Sequence, residues 1–322
     1  MRTILRAVGV ASFIGVLGVA VAAGLFFYSV YDDRTLPSGQ TQVIVARGAT
    51  FDDIAAQLAQ RRVIGNAVAF RVLARLRHVD VDVHAGAYSF PPHRTSDEVL
   101  RALLSSGAQI AAWVTIPEGF TASQIAQRLQ DDGIGRADES ERVFKNMRAE
   151  GYLFPNTYLV PLDSSPDAVA KQMMAEFARE LPADAKARAR ALGITVAQGV
   201  TVASLIEREA KADSDRPLIA SVIYNRLRLR MPLQIDATIE YALPEHKAAL
   251  SFADLKIDSP YNTYLHEGLP PTPIANPGRP SLEAAFHPAR TDALYYVYCG
   301  NGHHVFAKTL EEHQANVARC LH

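Results

Sequence analysis

Residues Thr195 to Lys211, which run TVAQGVTVASLIEREAK, predict a capped helix with two different faces. Thr195 and Gln198 have the spacing of a capping box, in which each side chain accepts a hydrogen bond from the backbone N–H of the other. At about 100° per residue, the larger apolar side chains gather on one face. These residues are expected to pack in a core: Val202, Leu205 and Ile206.

Two glutamates near the end of this helix are candidate acid/base groups. Glu207 shares the second face with small side chains, so a bulky molecule could reach its carboxyl group, whereas Glu209 points with the apolar face. Desolvation in a partly apolar cleft raises the pKa of a carboxyl group, which suits a general acid near neutral pH. Periodicity alone nevertheless favours a solvent-facing Glu207 paired with Lys211 at i+4.

A strand-turn-helix pattern occurs twice upstream of this helix, at an offset of 71 residues. The matching pairs are Val43/Val114, Gly48/Gly119, Thr50/Thr121, Ile54/Ile125, Ala55/Ala126 and Leu58/Leu129. The pattern resembles LysM modules, which bind N-acetylglucosamine chains, although such units could equally be spacers between the membrane and the rest of the chain. We therefore assign residues 43–110 to a LysM-like module and residues 111–150 to a second strand-turn-helix unit.

The N-terminus contains a candidate membrane span from Ala7 to Val30, without a charged residue. As a helix it would be about 36 Å long, enough to cross a hydrocarbon core of about 30 Å. Because Arg2 and Arg6 precede it, residues 1–6 are expected in the cytoplasm, and everything after a linker over residues 31–42 should be exported. The alternative is a cleaved signal peptide, whose apolar region is usually shorter.

Composition and missing motifs exclude several classes of protein. The 322 residues include 33 Lys+Arg and 34 Asp+Glu, so no excess of positive charge favours nucleic acid as a partner. The common motifs of nucleotide hydrolases, serine esterases and zinc proteases do not occur. No metal site is predicted, because four clustered histidines lack a typical ligand spacing: His287, His303, His304 and His313.

The C-terminal region combines short strands with two cysteines. Strands are predicted over residues 294–298 and 305–306, on either side of a Gly300-Asn301-Gly302 turn. If the region is exported, Cys299 and Cys320 can form a disulfide, and we predict that they do; two small buried thiols are the alternative.

Seven segments resemble, in order and spacing, motifs of the endolytic murein transglycosylase family, also called YceG-like. They are Glu150–Tyr158, Ala203–Glu209, Val222–Leu227, Pro232–Thr238, Ser259–Tyr264, Gly268–Ile274 and Ala285–Ala289. The resemblance covers nearly the whole exported chain. It implies an α+β protein with an N-terminal transmembrane helix, a small LysM-like α/β module and a larger mixed α+β catalytic domain over residues 151–322.

The same resemblance implies roles for individual residues. The first glutamate of the helix motif, Glu207, corresponds to the acid/base of the family, and Glu209 remains a secondary candidate. Six further positions fall in motifs that line the family's cleft, although each could instead be a cap or a satisfied core group. They are Gln234, Asp236, Tyr261, Asn262, Thr263 and Tyr264. This chain has Ile235 where Thr or Ser is common, which leaves the role of position 235 open.

The activity implied is cleavage of the β-1,4 bond between N-acetylmuramic acid and N-acetylglucosamine inside nascent peptidoglycan strands. Such cleavage would terminate strand elongation. A single carboxyl group suffices, because the muramic acid C6 hydroxyl is tethered near its own anomeric carbon and can attack it. No metal or organic cofactor is implied. Peptidoglycan strands and peptidoglycan synthases are the implied partners, and the implied location is the inner membrane with the catalytic domain in the periplasm. The alternative is a non-catalytic peptidoglycan-binding scaffold.

Overall fold

The computed structural model describes residues 2–31, 40–46, 48–79, 83–105, 109–243, 247, 250–300 and 302–320, with side chains from residue 14 onward. Most of the predicted 31–42 linker, and Asn301 of the predicted turn, lie outside these residues. The chain forms two compact units, one of Met1–Trp113 with Leu159–Asp163, the other of Val114–Tyr158 with Ser164–His322. The fold is mixed α+β, as predicted, whereas the domain boundaries at residues 43, 111 and 151 stay predictions.

The apolar N-terminal segment forms one helix, α1 (Arg2–Tyr31). Its stretch Ile14–Tyr31 is long and apolar enough to cross a membrane, a property that a signal sequence shares. The last turns of α1 pack against the hydrophobic core of the first unit. Val30 is fully buried there, and Phe26 is partly buried against the same core.

The first unit contains a βααβ motif. It comprises β1 (Thr41–Val45), α2 (Phe51–Gln60), α3 (Ala67–Leu76) and β2 (Gly86–Phe90), with β1 and β2 antiparallel. Thr50 caps α2 through a capping box with Asp53, and Gly48 precedes it at φ +74°, a conformation that favours glycine. Helix α4 (Ser96–Leu104) then leads to β3 (Gln109–Thr115).

A second βααβ motif follows. Its members are β3, α5 (Ala122–Asp131), α6 (Ala137–Asn146) and β4 (Thr157–Pro161). Thr121 forms the equivalent capping box with Gln124, and Gly119 again has a left-handed φ, of +76°. The strand, turn and helix expected from the sequence are present in both copies, and the repeat extends to a second helix and strand. The four strands form one sheet in the order β1-β2-β3-β4.

The second unit is mainly helical. Its further elements are α7 (Pro166–Glu180), α8 (Ala185–Leu192), α9 (Val196–Glu209), α10 (Arg216–Arg228), α11 (Asp236–Ala242), α12 (Arg279–Phe286), β5 (Tyr295–Tyr298), β6 (His304–Ala307) and α13 (Leu310–Cys320). Two short 3-10 turns cover Asp213–Asp215 and Asp254–Lys256.

Helix α9 is the centre of this unit. Every residue from Gly199 to Ile206 is buried, including the face of small side chains that was expected to be open. Close packing is most evident at Gly199, where an added Cβ would lie 2.5 Å from the Phe286 ring of α12. The helix ends at Glu209, two residues before the predicted end at Lys211, so the expected i+4 pair with Lys211 is not made on it.

The predicted disulfide between Cys299 and Cys320 is present. It joins the end of β5 to the end of α13 across 21 residues, with the strands β5 and β6 paired antiparallel between them. In the chain-entropy model a loop of this length stabilises the folded state by roughly 3 kcal/mol. The bond therefore holds β5, β6 and α13 together as one closed substructure.

Candidate active site

Glu207, the residue implied as acid/base, lies in a buried ion pair. Its side chain is only 6% exposed, and Arg216 Nη1 donates to its Oε1 at 3.1 Å. The backbone N–H of Gly278 donates to its Oε2 at 2.9 Å. Arg216 is held further by Asp213 Oδ1 at 2.9 Å and by a short contact with Ser281 Oγ. The face of small side chains beside Glu207 is packed by other elements, whereas the sequence led us to expect an open one.

Glu209, the secondary candidate, has a different environment. It is the last residue of α9, and its Oε2 accepts a hydrogen bond from the Tyr296 hydroxyl on β5 at 2.9 Å. Burial raises the pKa of Glu209 to about 7, although the hydrogen bond from Tyr296 acts in the opposite direction and lowers this pKa. The negative charge of Asp236 also raises this pKa. At neutral pH such a carboxyl group exchanges a proton readily in both directions.

Two of the predicted substrate-facing residues, Asp236 and Tyr264, are linked beside this carboxyl group. Asp236 is exposed at the start of α11, and its Oδ1 accepts a hydrogen bond from the Tyr264 hydroxyl at 2.5 Å. Burial raises the pKa of Tyr264, and the charges of Asp236 and Glu209 add to the effect. Tyr264 therefore stays a neutral donor at all physiological pH values.

Gln234 is a third predicted residue in this neighbourhood, and its backbone is strained. Its φ is +53°, a left-handed value that is uncommon for a residue other than glycine. The conformation is fixed by its N–H, which donates to the Thr263 carbonyl at 3.0 Å. Strained backbone of this kind concentrates at functional sites, and the exposed Gln234 side chain fits that pattern.

Arg226, on α10, is a residue whose part in the site the sequence did not single out. Its guanidinium donates to the carbonyls of Leu233 at 2.8 Å and Leu294 at 2.7 Å, and it lies 5.1 Å from the Tyr295 ring centre. It thereby fixes both the segment that carries Gln234 and the strand that carries Tyr296. The only sequence signal was its position inside the Val222–Leu227 motif.

Two of the remaining predicted residues are buried in the core. Asn262 and Thr263 are 0% and 2% exposed. Asn262 Nδ2 donates to the carbonyls of Leu255 and Ile257, and Thr263 Oγ1 accepts from the Ile235 N–H at 3.0 Å. They are satisfied core groups, the alternative that the sequence left open. Their predicted contact with substrate is therefore not supported by their positions.

Tyr261 lines a separate cavity of about 770 Å³, together with Glu150, Tyr152, Tyr241 and Thr272. Its hydroxyl is 2.7 Å from Thr272 Oγ1, and its ring centre is 4.9 Å from that of Tyr241. A second cavity of about 500 Å³ shares Glu150 and Tyr241 with the first.

Glu150 is, after Glu209, a second carboxyl group with a strongly raised pKa. Burial raises the pKa of Glu150 to about 7. The Ala122 N–H donates to both of its oxygens at 3.1 Å, Asn276 Nδ2 donates at 3.1 Å and the Tyr241 hydroxyl at 3.2 Å. Because its acceptor positions are already used by the chain, Glu150 is better suited to holding this region together than to proton transfer.

No group of three or more His, Cys, Asp or Glu side chains is arranged to bind a metal ion among the residues that the structure describes. What the site offers is a titratable carboxyl group at the end of a rigid central helix, with a tyrosine donor and a second carboxylate next to it. These are the components of a general acid/base site.

The chain is similar in sequence to known proteins. Residues 43–319 match the YceG-like family. Over 295 residues the chain is 36% identical to an endolytic murein transglycosylase of Bacillus subtilis (strain 168), covering 84% of this chain and 81% of that protein. It is 30% identical to the endolytic murein transglycosylase of Streptococcus pneumoniae serotype 2 (strain D39 / NCTC 7466), covering 96% of this chain and 64% of that protein.

A solved structure is similar as well. The crystal structure of a yceG-like protein from Listeria monocytogenes, 33% identical, covers 87% of this chain and 99% of its own with a TM-score of 0.62. The chain belongs to the YceG-like family.

Proposed function

We propose that this chain is a membrane-anchored lytic transglycosylase that cleaves the β-1,4 bond between N-acetylmuramic acid and N-acetylglucosamine inside peptidoglycan strands. Its relatives in Bacillus and Streptococcus, which are named endolytic murein transglycosylases, support the enzyme class and the substrate. The observation that carries the proposal at the level of chemistry is the Glu209 carboxyl group, with a pKa of about 7 and a hydrogen bond from Tyr296.

We place the acid/base on Glu209 in preference to Glu207. Both oxygens of the Glu207 carboxylate already accept hydrogen bonds, from Arg216 and from the Gly278 N–H, whereas Glu209 accepts its hydrogen bond from the Tyr296 hydroxyl. Burial favours the protonated form of Glu209, and that form is the one needed to begin glycosidic cleavage. The role of Glu207 as acid/base stays a prediction from the family resemblance, and the variants Glu209→Gln and Glu207→Gln distinguish the two residues.

The proposed reaction needs one carboxyl group acting twice. Protonated Glu209 donates its proton to the glycosidic oxygen as the bond to the anomeric carbon breaks, and N-acetylglucosamine leaves as an alcohol. The resulting carboxylate then takes the proton from the C6 hydroxyl of the same muramic acid, whose oxygen attacks the anomeric carbon. The product is a 1,6-anhydro ring, and no water is consumed.

The neighbours of Glu209 have supporting roles in this proposal. The Tyr296 hydroxyl stabilises the carboxylate formed after the first step. Asp236 and the Tyr264 hydroxyl that donates to it offer oxygen acceptors to sugar hydroxyl and acetamido N–H groups, and Gln234 has an exposed side chain on strained backbone. Electrostatic stabilisation by a fixed carboxylate is also favourable for the oxocarbenium-like transition state of glycoside cleavage.

Attachment to the membrane through α1 is part of the same proposal. The apolar stretch Ile14–Tyr31 and the arginines at positions 2 and 6 support a single span with the remainder of the chain on the outer side of the inner membrane. Peptidoglycan under construction is then the reachable substrate, and the synthases that make it are the natural partners. Cleavage inside such strands would end their elongation.

The ends of the reaction products test the chemistry. We expect purified peptidoglycan strands treated with the full chain in detergent to give fragments with 1,6-anhydro-muramic acid ends, lighter by one water than reducing ends. High-resolution mass spectrometry of the fragments separates the two. Fragments with reducing ends alone would identify a hydrolase and refute the proposed transglycosylase step.

The dependence of kcat/KM on pH tests the placement of the acid. Because Glu209 must be protonated at the start, activity should be highest below its pKa of about 7 and fall about tenfold per pH unit above it. Glu150 also has a pKa of about 7, so the variant Glu150→Gln serves as the control. The alkaline fall should persist in that variant. If it disappears there, the titrating group is Glu150 and the placement on Glu209 is wrong.

A further inference from the structure

Helix α3 carries an exposed apolar stripe. It consists of Val68, Val72 and Leu76, which are 59%, 40% and 66% exposed. They are spaced four residues apart, so they line one side of the helix over about 12 Å. The opposite side of α3 supplies the core with Phe70, Leu73 and other buried residues, so the stripe is not part of the interior of the unit.

The fold itself does not require this stripe, because the second βααβ motif provides the same helix without it. Helices α3 and α6 have the same length and both begin at an alanine, Ala67 and Ala137. Counted from these, the positions of the stripe are occupied in α6 by exposed polar residues: Asp138, Arg142 and Asn146. Apolar residues at these positions of α3 therefore point to a function outside folding.

Positive charge surrounds the stripe. Arg71 and Arg75 are on α3 itself, and three more arginines flank its two ends: Arg61, Arg62 and Arg77. Two of the five are paired with acids, Arg71 with Asp52 at 3.4 Å and Arg77 with Asp97. An apolar stripe bordered by arginines is the pattern of a helix that lies in the headgroup region of a bilayer.

The end of the membrane-length helix is next to α3. Val30, in the last turn of α1, is fully buried in the same core as Phe70 and Leu73. The carbonyl of Ser29 lies 4.0 Å from the position a Cβ would take at Gly65, just before α3 begins. The final turn of the apolar stretch is therefore packed on the unit, and no spacer separates this part of α1 from α3.

We propose that α3 is a membrane-contact helix, with Val68, Val72 and Leu76 inserted among lipid headgroups and the flanking arginines bound to anionic phosphate groups. The inference rests on the proposed membrane insertion of α1. Attraction between these arginines and an anionic surface determines which face of the unit meets the lipid.

Fluorescence of single labelled cysteines in the full chain tests this contact. The native cysteines, Cys299 and Cys320, are joined to each other, so an introduced cysteine is the one that an environment-sensitive dye labels. The variants are Val72→Cys on the stripe, Arg142→Cys at the matching position of α6 and Leu25→Cys on the exposed surface of α1. Each is reconstituted in phosphatidylglycerol-containing vesicles with and without lipids that carry a quencher high on the acyl chain.

We expect the dye at residue 72 to shift to shorter wavelength and to lose at least half of its emission to the quenching lipid, and the dye at residue 142 to do neither. Equal quenching at residues 72 and 142 would overturn the proposal. A blue shift at residue 72 without lipid quenching would also overturn it, because protein, such as a second copy of this chain, would then cover the stripe. Absence of quenching at residue 25 would refute the anchor instead, while residue 72 still reports on the stripe separately.

Discussion

Replacement of Glu209 by glutamine is expected to abolish glycan cleavage while the protein stays folded. Glutamine has the same shape, but it can neither give a proton to the leaving oxygen nor take one from the C6 hydroxyl. Loss of one general acid/base step alone typically slows a reaction 10²–10⁴-fold, and here both proton transfers are lost. The thermal stability should be unchanged or higher at pH 8, because the variant no longer holds a buried carboxylate charge whose pKa is about 7.

The measurement is the rate of release of 1,6-anhydro ends, together with a thermal melt and binding of the variant to insoluble peptidoglycan. Glu139→Gln, the same change at an exposed position in the first turn of α6, is the matched control and should keep full activity. Retained binding without cleavage in the Glu209 variant would agree with an enzyme and not with a non-catalytic peptidoglycan-binding scaffold. Full cleavage by this variant would remove Glu209 from the mechanism.

Replacement of Glu207 by glutamine is expected to act mainly on stability. Removing one partner of a buried ion pair leaves the other charge uncompensated, which typically costs about 3–5 kcal/mol. For a unit of this size that corresponds to a fall in melting temperature of roughly 6–20 °C. Arg216 would keep Asp213 as a partner, so the lower end of this range is the more realistic expectation.

Calorimetry of the variant gives the stability, and the cleavage rate per folded molecule at 20 °C gives the function. Glu240→Gln breaks the more exposed ion pair with Arg208 and is the matched control, expected to cost less than about 1 kcal/mol. If Glu207→Gln melts normally yet cleaves no glycan, Glu207 is the acid/base that the family resemblance implies, and our placement on Glu209 fails.

The helical periodicity around α9 was sufficient to predict the helix and its cap but not the surroundings of its two glutamates. A helical wheel divides residues into a buried and an open face, and that division assumes that water covers one side. Helices α10 and α12 both pack on α9, so the face of small residues is as buried as the apolar face. The residues that decide the chemistry of the glutamates, Arg216 and Tyr296, come from other elements, and Tyr296 is 87 residues away in sequence from Glu209.

The repeat was predicted in part for a related reason. Turn and cap residues such as Gly48 and Thr50 recur because each is needed for a specific backbone conformation, so the strand, turn and first helix were recognisable. Helices α3 and α6 share little sequence, because each only has to bury one side against its own neighbours. The order of strands in the sheet depends on pairings between distant segments, which no local pattern encodes.

The disulfide between Cys299 and Cys320 has a consequence for when the enzyme can work. It closes the substructure of β5, β6 and α13, and β5 carries the Tyr296 hydroxyl that binds Glu209. A newly made chain in a reducing cytoplasm has two thiols there and lacks this clamp. If the chain is exported and Glu209 is its acid, as proposed, oxidation after export completes the surroundings of that acid and ties maturation to arrival in the compartment that holds the substrate.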